Sequence, residues 1–162
     1  MSDQIVRALT TVSAVGAALS AGVFLAFSTF VMRALDALPP PQGIAAMQSI
    51  NRFAPNPLFM LALFGTALTS VALVAHALAH LSEPGAGYRL AGGALYLAAI
   101  FLTVAYHVPR NNALASLDPG AAASVGEWAD YVSHWTAWNH VRTLSSLVGA
   151  AALLASLRTR WS

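Results

Sequence analysis

The chain contains no cysteine and no lysine, and it carries little charge of either sign. Without cysteine there are no disulfides, no thiolate metal sites and no thiol nucleophiles, although the redox compartment stays open. Charged residues make up only 9% of the 162 residues, whereas an ordinary soluble domain carries roughly 25%. Eight basic residues, all arginine, and six carboxylates cannot clothe a water-facing surface of this size. They suffice to punctuate the loops of a protein that faces lipid. A scattered net charge of +2 offers no basic patch for nucleic acid. There is no phosphate-binding glycine loop and no nucleophile elbow, and the lack of paired carboxylates within the apolar runs argues against a proton-coupled transporter.

What the sequence has instead is hydrophobicity: 57% of its residues are apolar. They fall into four runs of the length that spans a bilayer, roughly 20 residues each. The expected spans are 5–32, 57–81, 89–108 and 133–158, within one membrane domain over residues 1–162. None alternates with period two, so an all-α integral membrane four-helix bundle is expected rather than a barrel. The start, Met1-Ser2-Asp3-Gln4, lacks the basic opening of a signal peptide, so the first run is read as a retained helix. Asn56-Pro57 opens the second run and Glu83-Pro84-Gly85 closes it. Pro109 is expected to break the third helix, with Asn111-Asn112 following in a turn.

Two long loops, about 33–56 and 109–128, share one face of this arrangement; the short loop at 82–88 and the termini share the other. The terminal face carries Arg7, Arg89, Arg158 and Arg160 against Asp3 and Glu83. The opposite face carries Arg33, Arg52 and Arg110 against Asp36, Asp118, Glu127 and Asp130. The bias, a single arginine, favours cytoplasmic termini in the cell (inner) membrane. In the first loop, Leu38-Pro39-Pro40-Pro41 is expected to be stiff and extended, and 44–51 to form a short amphipathic helix. That helix reads either as an interfacial element on the headgroups or as a lid over the bundle mouth.

The most informative segment lies on the fourth helix. At about 100° per residue, Trp128, Tyr131, Trp135, Trp138, Asn139, Arg142, Ser146 and Gly149 fall within one arc. Ala137, Val141, Leu144, Leu147, Ala151 and Leu154 occupy the remaining face, which suits lipid or packing. The stretch between Arg142 and Arg158 is too short to span alone, so Arg142 is carried below the interface. A buried arginine usually faces the protein interior, although a side chain one or two turns deep can snorkel to the headgroups. Asn139 and Ser146 on the same face favour the interior. Trp128 and Tyr131 read as interfacial anchors, Trp135 and Trp138 as pocket lining.

Facing this stripe, Gly92, Tyr96, Ala99, Thr103 and His107 share one side of the third helix. Ser13, Gly16, Ala17 and Ser20 on the first helix, with Thr66, Thr69 and Ser70 on the second, read as close-packing surfaces. His76 and His80, four apart, have a spacing that could chelate a metal, with Glu83 as the sole nearby carboxylate. His107, His134 and His140 gather on the long-loop face but come from different helix faces, which makes them weak metal candidates.

Several segments together resemble the anthrone oxygenase-like family of small four-helix membrane proteins. They are 22–32 (GVFLAFSTFVM), 47–51 (MQSIN), 56–60 (NPLFM), 107–112 (HVPRNN) and 135–143 (WTAWNHVRT). The resemblance covers nearly the whole chain in order. It implies oxidation of anthrones to anthraquinones without a cofactor. Within that reading His107 is the candidate base and Arg142 the candidate cation for the developing oxyanion, these two being the catalytic pair. Trp135 and Trp138 would sandwich the ring, and Asn51, Asn111, Asn112 and Asn139 would complete the substrate-binding set. His107 stands where the family pattern has Asn before Val-Pro, and Arg110 replaces an apolar residue, so the substrate itself is not carried over. The non-catalytic alternative is a small-molecule or lipid-binding or accessory membrane protein whose polar stripe orders the bundle. A metal oxidase using His107, His134 and His140 is a third reading. The expected partners are the lipid bilayer and a small apolar aromatic ligand, and the sequence leaves room for a homo-oligomer.

Overall fold

The computed structural model describes residues 1–159, so Arg160, counted above on the terminal face, lies outside the described residues. The described chain is all-helical and falls into five helices: α1 (Asp3–Asp36), α2 (Pro40–Phe53), α3 (Pro57–Ala79), α4 (Ala86–Ala115) and α5 (Ser124–Ser156). The four long helices pack as a bundle in which α1 lies against α3 and α5, and α4 lies against the same two from the other side. α1, α3 and α4 are each long and apolar enough to cross a membrane, which marks the chain as a membrane protein. α5 is not among them, because its polar stripe dilutes the hydropathy of every window. At 1.5 Å per residue it would extend roughly 50 Å.

Small residues set the helix spacing. A Cβ at Gly92 would come 2.8 Å from the Gly149 carbonyl oxygen, and one at Gly149 would come 2.9 Å from the Gly92 oxygen. α4 and α5 therefore touch backbone to backbone, as membrane helices do where side chains are smallest. Where α1 crosses α3, the absence of a side chain at Gly16 makes room for the Thr66 side chain. At the centre, the Tyr96 hydroxyl donates to the Leu63 carbonyl (3.0 Å) and lies 3.0 Å from Ser20 Oγ, tying α4 to α3 and α1.

α1 and α4 each contain a π turn, at Phe27–Val31 and Thr103–His107. The second one bears on the expected break at Pro109. The helix runs on through Val108–Ala115, so Asn111 and Asn112 are helical and not in a turn. A proline normally clashes with the carbonyl four residues back. The wider π turn just before it re-spaces those carbonyls, and the chain continues.

The first loop also differs from expectation. Helix α2 already begins at Pro40, with Pro39 as its cap and Pro41 in the first turn. Prolines are tolerated there because the first N–H groups have no intrahelical acceptor. Ile44 and Met47 are fully buried, in one cluster with Trp128, Tyr131 and Trp135. Gln48 Nε2 donates to the carbonyls of Leu114 (2.9 Å) and Leu117 (3.0 Å). α2 is thus pinned across the end of the bundle. Trp128 and Tyr131, expected as interfacial anchors, are only 2% and 5% exposed because they pack beneath it. At the other end, Gly85 adopts φ 77°, a left-handed conformation that turns α3 into α4. Arg89 is buried there against Glu83 and does not act as a free surface charge.

Candidate active site

Beneath α2 lies a cavity of about 340 Å3, walled by all four long helices and by the α2–α3 connection. Its lining is mostly apolar. α1 contributes Val23, Phe24 and Phe27, and α3 contributes Phe59, Met60, Leu63 and Phe64. Polar groups reach the wall at a few points: Asn51 from α2, Thr103, His107 and Asn111 from α4, and Arg142 from α5. Trp135 supplies the flat surface between them. An apolar chamber with a few convergent polar groups is the usual form of a small-molecule site.

Arg142 is 5% exposed. Its Nε and Nη2 donate to Asn139 Oδ1 at 3.2 and 2.6 Å, and its Nη1 donates to Thr103 Oγ1 at 3.1 Å. Its guanidinium carbon stands 4.2 Å from the centre of the Phe24 ring and 5.3 Å from that of Trp135. A guanidinium has five N–H groups, so two remain beyond those three bonds. No carboxylate pairs with Arg142 among the described residues. The contacts that hold it are aromatic faces and neutral oxygens, which stabilise a cation only partially.

His107 is also buried. Its Nδ1 lies 3.1 Å from the Leu102 carbonyl, an acceptor, so that nitrogen carries the proton. In the neutral ring Nε2 holds the lone pair, and that nitrogen is buried with no hydrogen bond among the described residues. The imidazole stands edge-on to Trp135, ring centres 5.0 Å apart. Trp135 therefore contacts both the imidazole and the guanidinium. Its own orientation is fixed by Asn111, whose Oδ1 accepts from Trp135 Nε1 and from the Tyr131 hydroxyl, both at 2.9 Å.

Of the residues singled out from the sequence, Arg142, His107, Trp135, Asn51 and Asn111 thus meet at one cavity. Three others do not. Trp138 is 42% exposed and packs on Tyr106 outside the bundle, because it lies at the edge of the α5 arc. Asn139 is fully buried, but its amide is spent on the protein itself: Nδ2 donates to the Phe24 carbonyl and to Ser28 Oγ, both at 2.7 Å. It holds Arg142 and does not line the cavity. Asn112 is exposed and lines an adjoining cleft of about 310 Å3, which shares Asn51, Pro55, Val108 and Asn111 with the cavity. His134 and His140 are exposed, and neither approaches His107 closely enough to form a ligand cluster among the described residues. Their positions on α5 point them away from the bundle interior.

Sequence reasoning missed the opposite wall. Phe24, Phe27, Phe59 and Met60 looked like ordinary span residues, and no periodicity separates a cavity-lining phenylalanine from a lipid-facing one. The signal that existed was their place within the segments 22–32 and 56–60.

These features define a helical membrane protein with a partly open, largely apolar chamber lined by one cation without a carboxylate partner and one buried imidazole. The family model described as anthrone oxygenase matches residues 58–152, more than half of the chain. The chain belongs to the anthrone oxygenase family. No curated protein and no solved structure matches it.

Proposed function

We propose that this protein is a membrane-embedded oxygenase that acts on a small, flat, aromatic carbon acid of the anthrone type, with dioxygen as co-substrate. The observation that carries the reading is Arg142: a cation buried on the wall of an apolar chamber, with spare N–H groups and no carboxylate of its own. Burying an unpaired charge is costly, and an oxyanion formed on a bound ligand is the partner that would offset the cost.

An anthrone has an acidic methylene opposite a ring ketone. Removing one methylene proton leaves an enolate whose negative charge rests on the former ketone oxygen. Arg142 would stabilise that oxygen, and His107 Nε2 would accept the proton. The electron-rich carbon then bonds to dioxygen, and the proton returns to the distal oxygen to give a hydroperoxide. Loss of water from the hydroperoxide, with cleavage of the O–O bond and departure of the second hydrogen on carbon, gives the quinone carbonyl. Overall, one methylene and one dioxygen become one carbonyl and one water. The carbon is oxidised and dioxygen is reduced. In this structure Nε2 is sealed by its neighbours, so the mechanism requires the edge of Trp135 to give way as the planar ligand enters.

The surroundings suit such a ligand. Val23 and Phe64 line the chamber and are also 38% and 44% exposed on the outer, apolar surface of the bundle. A ligand dissolved in the bilayer could pass between α1 and α3. We further read the chain as crossing the inner membrane four times, α5 being shielded on its polar side by its neighbours, with cytoplasmic termini.

The test is turnover by the purified protein in nanodiscs with an anthrone under 18O2. The reading requires a quinone carrying one heavy oxygen atom, formed faster than in protein-free nanodiscs. Saturable binding under anaerobic conditions with no faster oxidation in air would favour the ligand-binding alternative instead.

A further inference from the structure

The end of the bundle opposite the chamber holds a second cluster of chemically capable side chains, which the oxygenase reading does not use. We propose that His76, His80 and Glu83 form a binding site for a divalent transition-metal ion of the zinc class.

His76 and His80 are one turn apart near the end of α3, so both imidazoles emerge on the same side. Their rings stack with centres 4.3 Å apart and planes 13° from parallel. The turn closed by Gly85 then brings Glu83 back beside them. One ligand atom from each of the three residues lies within 4.8 Å of the other two. Donor atoms around a tetrahedral zinc ion sit about 3.3 Å apart, given bond lengths near 2.0–2.1 Å. Modest side-chain rotation closes the difference.

The hydrogen bonds around the cluster prepare it for an ion. His80 Nδ1 lies 3.0 Å from the His76 carbonyl. The carbonyl must accept, so the proton sits on Nδ1 and the lone pair on Nε2. A metal-bound histidine normally donates its second nitrogen to a backbone oxygen in this manner. His76 is only 8% exposed, and its Nδ1 is buried without a hydrogen bond among the described residues. Glu83 Oε2 is the nearest carboxylate oxygen at 4.0 Å, too far for a hydrogen bond. A buried nitrogen facing a carboxylate at that separation leaves a gap suited to an ion bridging the two.

Arg89 holds the carboxylate in place: its Nη2 donates to Glu83 Oε2 at 3.0 Å and its Nη1 to the Pro84 carbonyl at 3.1 Å. Its charge, with that of the N-terminal amine, which also acts on His76, lowers the affinity relative to a site with an unshared carboxylate. Arg89 also orients Glu83, as outer hydrogen bonds do for ligating carboxylates. The C-terminal end of α3 adds a favourable partial negative charge. Two imidazoles and one carboxylate leave a fourth position for water, the ligand set of an open zinc site.

The test uses the full-length, tag-free protein in detergent micelles, stripped with a chelator and re-purified. Co2+ is titrated while visible ligand-field absorption is followed, and Zn2+ is then used to displace it. The expected result is one equivalent of Co2+ with a tetrahedral-type spectrum, displaced stoichiometrically by Zn2+. H80A changes an exposed side chain and should fold normally, yet weaken binding roughly tenfold or more. E83Q should do the same, while H134A/H140A should bind like the parent. Absence of Co2+ and Zn2+ binding in the unsubstituted protein would overturn the proposal. So would binding that H80A leaves unchanged.

Discussion

Asn139 Oδ1 accepts two hydrogen bonds from Arg142, at 3.2 and 2.6 Å, while Asn139 Nδ2 donates to the α1 backbone at Phe24. One amide thus fixes the guanidinium and bolts α5 to α1 beside the chamber. Asn139 does not face the chamber, so it acts on a ligand only through Arg142.

Replacing Asn139 with alanine should therefore lower stability by about 1–3 kcal/mol, the cost of leaving buried polar groups unsatisfied. In a turnover assay, N139A should lower kcat more than it raises KM, because the cation is misplaced while the apolar walls remain. Thermal unfolding in detergent and steady-state kinetics check the two parts separately. An unchanged kcat in folded N139A protein would show that Arg142 needs no such positioning.

Trp135 and Trp138 provide an internal comparison. Trp135 lines the chamber in contact with both His107 and Arg142, whereas Trp138 is 42% exposed outside it. W135A should reduce anaerobic ligand binding at least tenfold, and W138A less than threefold, as expected for loss of a stacked aromatic surface against an exposed ring. Equilibrium binding of a fluorescent planar ketone measures both. Equal losses would mean that the ligand lies elsewhere.

The contact between α4 and α5 predicts a packing effect. A methyl group at Gly149 would come 2.9 Å from the Gly92 carbonyl oxygen, which belongs to the backbone and cannot swing aside. G149A should destabilise the bundle by about 1–3 kcal/mol. Gly126, also helical, has no atom within 4 Å of the corresponding position. G126A should be neutral or mildly stabilising, since alanine favours helix over glycine by up to about 1 kcal/mol. Melting temperatures of the two variants in one detergent decide the matter.

How much of this was legible in the sequence depended on what kind of interaction set each feature. Charge depletion and apolar run length give the membrane helices, because lipid imposes those constraints one segment at a time. The polar arc of α5 was readable for the same reason: Arg142 and Asn139 are costly in lipid and point inward. The role of Asn139 was not readable, because its partner Phe24 is 115 positions away and offers only a backbone carbonyl. The continuation of α4 through Pro109 depended on a π turn, which no residue pattern announces. The burial of Trp128 and Tyr131 depended on α2 folding back over them, where Gly43 lets the helix approach the Leu35 carbonyl and the Trp128 ring. Local preference favoured interfacial anchors, and the tertiary contact overrode it.

The account rests on Arg142 serving a bound oxyanion and not the bundle. Replacing it with methionine keeps most of the volume; relief from burying an unpaired charge offsets the loss of the two hydrogen bonds to Asn139 Oδ1. The decisive measurement is the initial rate of dioxygen uptake with an anthrone in nanodiscs, taken alongside the melting temperature, for the unsubstituted protein and R142M. The expected result is a melting temperature within several degrees of the parent while protein-dependent uptake falls at least a hundredfold, as for loss of an oxyanion-stabilising donor. A folded R142M protein that consumes dioxygen at the parent rate would contradict it.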